Sequence, residues 1–128
     1  MGPASFIRQA RRVRKVFGGG MRQAGFMAAA GIYALQHHID RLAIDHAHAR
    51  MIGAAVEKKG FVRSMMPVET NIVIIEVDPE LPARTLTQRL REVGILSIAI
   101  SPTQVRFVTH LDISPAMVEQ AVAAIEQL

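Results

Sequence analysis

The stretch KVFGGGMRQAG, residues 15 to 25, sets Gly18, Gly19 and Gly20 between Lys15 and Arg22. Glycine reaches backbone conformations closed to other residues and leaves its peptide N–H uncovered. A helix starting just beyond would add unpaired N-terminal N–H groups and a partial positive charge. With a cation on either side, such a stretch is suited to a phosphate. It is neither the GxxxxGK[ST] nucleotide loop nor a GxGxxG following a strand. A flexible hinge that re-aims two helices would need the same glycines.

Arg106 is the second candidate. In VRFVTH, residues 105 to 110, a strand puts Val105, Phe107 and Thr109 on one face and Arg106, Val108 and His110 on the other. An arginine among apolar neighbours needs an anion, because burying a bare guanidinium is costly. Its planar fork of donors suits a carboxylate. That carboxylate belongs either to a ligand or to Glu69, Glu76 or Asp112. His110 is the one histidine placed to join this site.

The remaining histidines cluster as His37, His38, His46 and His48 without the spacing of a metal site. Residues one or two apart point in different directions on a helix, and H-E-x-x-H is absent. No metal is expected, and His46, continuing a stripe through Leu35, Ile39 and Leu42, is expected to be a core histidine with one hydrogen bond. No nucleophile–base constellation stands out among Ser5, Ser64, Ser97, Ser101 and Ser114. The chain has no cysteine, which removes disulfides, thiolate metal sites and a cysteine nucleophile. Its seven methionines read as packing material.

These residues need a frame. Phe6, Ala10, Val13 and Phe17 recur every three or four positions and predict a helix over 4–16, ended by the glycines. A helical pattern runs on from 21 to 58 in two segments, its first part rich in alanine and glycine. After Gly60 the period changes. TNIVIIEV, 70 to 77, predicts a central strand buried on both faces. Pro82 opens a helix that stops at Gly94. LSIAI and VRFVTH form two strands joined by SPTQ, and Ser114–Pro115 cap a last helix. The fold class is therefore α/β: a two-layer β-α-β-β-α small domain over 61–128, preceded by long helices over 1–60.

Composition sets the outer bounds. Half of the 128 residues are hydrophobic, enough for one domain or a part of a larger one. No apolar run approaches membrane-spanning length and no apolar leader precedes the first helix, so a cytoplasmic protein with no membrane partner is expected. The net charge of +4 is uneven. Arg8, Arg11, Arg12, Arg14, Lys15 and Arg22 all precede the first acid, Asp40. A small basic module contacting nucleic acid or an acidic partner through residues 8–22 is the alternative. Against it, no aromatics interleave with the cations to stack on bases, and no nucleic-acid partner is expected.

Taken in order, RRVRKVFGGGMRQAGFMAAAGIYAL, PVETNIVIIEV and VRFVTHLDIS resemble the C-terminal part of the low-specificity L-threonine aldolases, pyridoxal-phosphate enzymes of the aspartate aminotransferase fold. The resemblance runs from about Ser5 onward. It implies that Arg106 holds the α-carboxylate of an amino-acid substrate, and that Lys15 and Arg22 lie near the cofactor phosphate, across a subunit interface. The implied reaction is retro-aldol cleavage of threonine or allo-threonine to glycine and acetaldehyde, with the cofactor as electron sink. It further implies that the Schiff-base lysine belongs to an upstream large domain. Lys15, Lys58 and Lys59 match no such position, so this chain is expected to be inactive alone and to work as part of a homo-oligomer.

Overall fold

The computed structural model describes residues 1–128. Residue contacts divide the chain into two units, Met1–Ile39 and Asp40–Leu128. The sequence reading draws its boundary at residue 60. In the structure the third helix packs on the sheet and on the last helix, and so falls with the second unit.

The first unit holds α1 (Ala4–Val16) and α2 (Gly25–His37). Both are where the apolar spacing predicts them. Helix α1 stops at Gly18, whose φ of 78° lies in the left-handed region that glycine enters without a Cβ penalty. Neither helix buries a side chain.

The second unit runs α3 (Leu42–Val56), β1 (Val62–Met65), β2 (Ile72–Val77), α4 (Ala83–Glu92), β3 (Ile98–Ala99), β4 (Gln104–Val108) and α5 (Pro115–Glu126). The four strands form one antiparallel sheet in the order β1-β2-β4-β3. Strand β1 was not expected. It is short, mixes Arg63 and Ser64 with apolar residues, and carries a bulge between Val62 and Ser64, so it shows no clean alternation. The expected caps are present: Ser114 Oγ accepts the Met117 N–H at 3.3 Å, with Pro115 opening α5. Gly94, at φ 86°, ends α4.

Val73, Ile75 and Val77 on β2, with Val105 and Phe107 on β4, point to one side of the sheet and are buried. There they meet Ala49, Ile52 and Val56 of α3, Leu86 and Leu90 of α4, and Val118 and Ile125 of α5. Each of these valine, leucine, isoleucine and phenylalanine side chains contributes roughly 1.5–3 kcal/mol on leaving water. The opposite face carries Ile72, Ile74, Glu76, Ile98, Gln104, Arg106 and Val108, all half-buried or exposed. The expectation that β2 is buried on both faces is thus corrected. The apolar run is genuine, but within this unit helices cover one side only.

Candidate functional site

Arg106 stands in the middle of the uncovered sheet face. The antiparallel register sets it opposite Ile74 on β2 and Ile98 on β3. Its guanidinium makes no ion pair: the pairs formed are Arg41–Asp45, Arg63–Asp78 and His110–Asp112. Glu69, Glu76 and Asp112, the internal acids considered from sequence, therefore leave it free. Its Nε is buried without an acceptor, so the end-on amino groups are the donors left for an incoming anion. A fork held between isoleucines meets a carboxylate in a less screened setting than open water provides.

His110 is not brought to this spot. It lies beyond the end of β4, exposed, with Nδ1 accepting the Asp112 N–H at 3.3 Å and standing 3.6 Å from Asp112 Oδ2. It also lines a cavity of about 360 Å³ bounded by Ile52, Phe107, Ile113, Met117 and Val118, whose walls do not include Arg106.

The glycine stretch belongs to the first unit. Its amides are not open, contrary to the expectation of uncovered N–H groups. Gly18 donates to the Lys15 carbonyl at 3.2 Å, Gly19 to the Arg14 carbonyl at 2.8 Å, and Gly20 to the Gly18 carbonyl at 2.8 Å. The first two finish helix α1 instead, satisfying carbonyls that its last turn leaves unpaired, and Gly20 closes within the stretch itself. Gly19 has a further reason to lack a side chain: a Cβ there would stand 2.9 Å from the Arg14 carbonyl oxygen. Lys15 and Arg22 are exposed and unpaired, so the positive charge of this stretch is available although its amides are not.

The sequence reading missed a polar node on α3. Arg41 donates to both carboxylate oxygens of Asp45, at 2.9 and 2.8 Å. Thr109 Oγ1 donates to the Asp45 carbonyl at 2.7 Å, and Asn71 Nδ2 to the Thr109 carbonyl at 2.7 Å. The signal was present in R-x-x-x-D, an i,i+4 pair on a helix. The buried histidine is His48, not His46, and its Nδ1 has no hydrogen-bond partner. Leu35, Ile39 and Leu42 are exposed, and within its own unit α3 turns Asp45, His48, Ala49 and Ile52 inward. No group of three metal-ligating side chains comes together. No helix is long and apolar enough to cross a membrane.

A family of lyases accounts for this combination of elements. Residues 1–80 match the Beta-eliminating lyase family, and the chain belongs to it. Among individual relatives, it is 34% identical over 131 residues to a probable low-specificity L-threonine aldolase 2 of Arabidopsis thaliana, a match covering 100% of this chain and 37% of the relative. It is 38% identical over 123 residues to the low specificity L-threonine aldolase of Escherichia coli strain K12, covering 96% and 35%. The chain thus spans little more than a third of the length of these relatives. Among solved structures, the ornithine aminotransferase of Toxoplasma gondii superposes with a TM-score of 0.58 at 19% identity over 69% of this chain and 22% of that one. Ornithine aminotransferase from Plasmodium yoelii gives 0.55 at 15%, over 69% and 25%. The second pair of likenesses speaks to the fold: an α/β arrangement found inside much larger aminotransferases.

Proposed function

We propose that this chain is the small-domain part of a pyridoxal-phosphate-dependent threonine aldolase, in which Arg106 receives the α-carboxylate of the amino-acid substrate. The observation that carries this reading is an arginine centred on an uncovered sheet face whose guanidinium pairs with no internal acid, not even Glu76 on the same face. A guanidinium left without an anion there is costly unless a ligand supplies one. The relatives are named L-threonine aldolases, which points to threonine; the reaction in this reading is cleavage of threonine or allo-threonine to glycine and acetaldehyde.

Lys15 and Arg22 act in this reading as cations near the cofactor phosphate, through charge and not through the glycine amides. The residues of this chain do not fit the rest of the cofactor. Lys59 Nζ donates to the Glu126 carbonyl at 2.8 Å, and Lys15 and Lys58 are exposed. When bound in the larger assembly, the cofactor supplies an electron sink for the developing carbanion. The chain's own contribution is to bind and orient the carboxylate, while a large domain brings the cofactor-holding lysine. The chain alone is accordingly inactive, and functions within a homo-oligomer. Mixing it with pyridoxal phosphate tests this. No borohydride-fixable absorption band and no acetaldehyde from threonine are expected, and a stable band abolished by borohydride would refute it.

One observation favours a second reading. Arg8, Arg11, Arg12 and Arg14 on α1 are exposed and pair with no acid. A nucleic-acid contact through residues 8–22 would show steeply salt-dependent affinity for random duplex, lost on replacing Arg8, Arg11 and Arg12.

A further inference from the structure

Asn71 is the only asparagine of the chain, and it meets Thr109 twice. Its carbonyl accepts the Thr109 N–H at 3.0 Å, and its Nδ2 donates to the Thr109 carbonyl at 2.7 Å. In a continuing antiparallel ladder the second bond would come from the backbone N–H of residue 71. Here a side chain makes it, one position before β2 begins at Ile72. The closure therefore depends on residue type: it needs a short side chain that ends in an N–H donor.

The place of this closure bears on Arg106. Strand β3 pairs with β4 at Ile98–Arg106 and Ala99–Val105 and reaches no further along it. Arg106 is thus the last residue of β4 held from both sides within the sheet. Phe107 and Val108 are held there by β2 alone, opposite Val73 and Ile72, and the Asn71–Thr109 closure ends that run. Thr109 is buried, so water does not replace the Asn71 donor at its carbonyl.

From this juxtaposition we infer that Asn71 is a positioning residue for the carboxylate receptor. By pinning Thr109 it fixes the stretch of β4 that presents the Arg106 fork. The inference rests on the reading of Arg106 under Proposed function. With Nε buried, the place of the terminal amino groups follows that of the strand. Binding groups work when held within about 0.5 Å of the productive geometry, and the residues behind them do the holding.

Acetate titration of the full chain, read on the ¹⁵N resonances of the Arg106 guanidinium, tests this with Asn71→Leu. That change keeps the approximate shape and the net charge and removes the donor. Acetate affinity should fall about tenfold, with the backbone amide spectrum still that of a folded chain. Ile125→Val trims the core on α5 without touching the closure, and should leave the affinity as it is. A second measurement needs no variant. In the wild type, the Asn71 side-chain amide protons should exchange with solvent about tenfold more slowly than those of exposed Gln9. An Asn71→Leu chain that binds acetate as the wild type does would overturn the inference and leave Arg106 as the receptor. So would an affinity loss matched by Ile125→Val, or Asn71 amide protons exchanging as fast as those of Gln9. A wild-type chain indifferent to acetate would overturn the carboxylate reading, and this inference with it.

Discussion

Thr109 Oγ1 donates a 2.7 Å hydrogen bond to the Asp45 carbonyl, joining the end of β4 to the first turns of α3 across 64 positions of sequence. Thr109 is 2% exposed, so water cannot replace this bond. It ties the strand that carries Arg106 to the helix layer behind it. Thr109→Val keeps the shape and removes the donor, and should lower stability by about 1 kcal/mol. A shift of the urea midpoint at unchanged slope checks this.

Arg41 covers the other side of the same node. The Asp45 side chain is 3% exposed, so Arg41→Met would leave a buried carboxylate without its partner. The expected loss is roughly 3–5 kcal/mol, well above that of Thr109→Val. Equal losses for the two variants, measured by the same urea unfolding, would contradict this ordering.

The two faces of β2 should respond differently to truncation. Ile75 is fully buried, whereas Ile72 on the other face is 39% exposed. Ile75→Ala should cost about 2–5 kcal/mol. Ile72→Ala should cost less than about 1 kcal/mol in this chain. Thermal unfolding of both variants measures the contrast.

Asp78 gives the fold an acid-sensitive turn. Its carboxylate accepts the Glu80 N–H at 2.9 Å and the Arg63 guanidinium at 3.0 and 3.2 Å. The backbone N–H, followed by Arg63, holds its pKa below the ordinary value of 3.8. The folded pKa being the lower one, this stabilisation is complete above 3.8 and disappears as pH falls through the folded value. The stability gap between wild type and Asp78→Ala should close on acidification over that window. A gap that widens in acid would reverse the sign.

Much of this fold was legible in the sequence because its signals are local. Ser114–Pro115 caps α5 and Gly94 ends α4 through chemistry confined to a few residues. What failed depended on phase or on distant partners. The stripe reaches His46 only if one helix runs through residues 38–41, and a turn interrupts it there. The run IVIIEV cannot say how many of its faces are covered, since that is settled by helices far away in sequence. Glycine amides look free in a sequence, but here they close on Arg14, Lys15 and Gly18. The Arg41–Asp45 pair was readable from its spacing, whereas Thr109 reaching Asp45 was not.

The most direct test of the carboxylate reading follows the ¹⁵N resonances of the Arg106 guanidinium while glycine is added to the chain. Glycine and acetate should shift those resonances saturably, methylamine should not, and Arg106→Gln should abolish the response. If methylamine moved them as glycine does, or if saturating glycine left them unmoved, Arg106 would not be the carboxylate receptor.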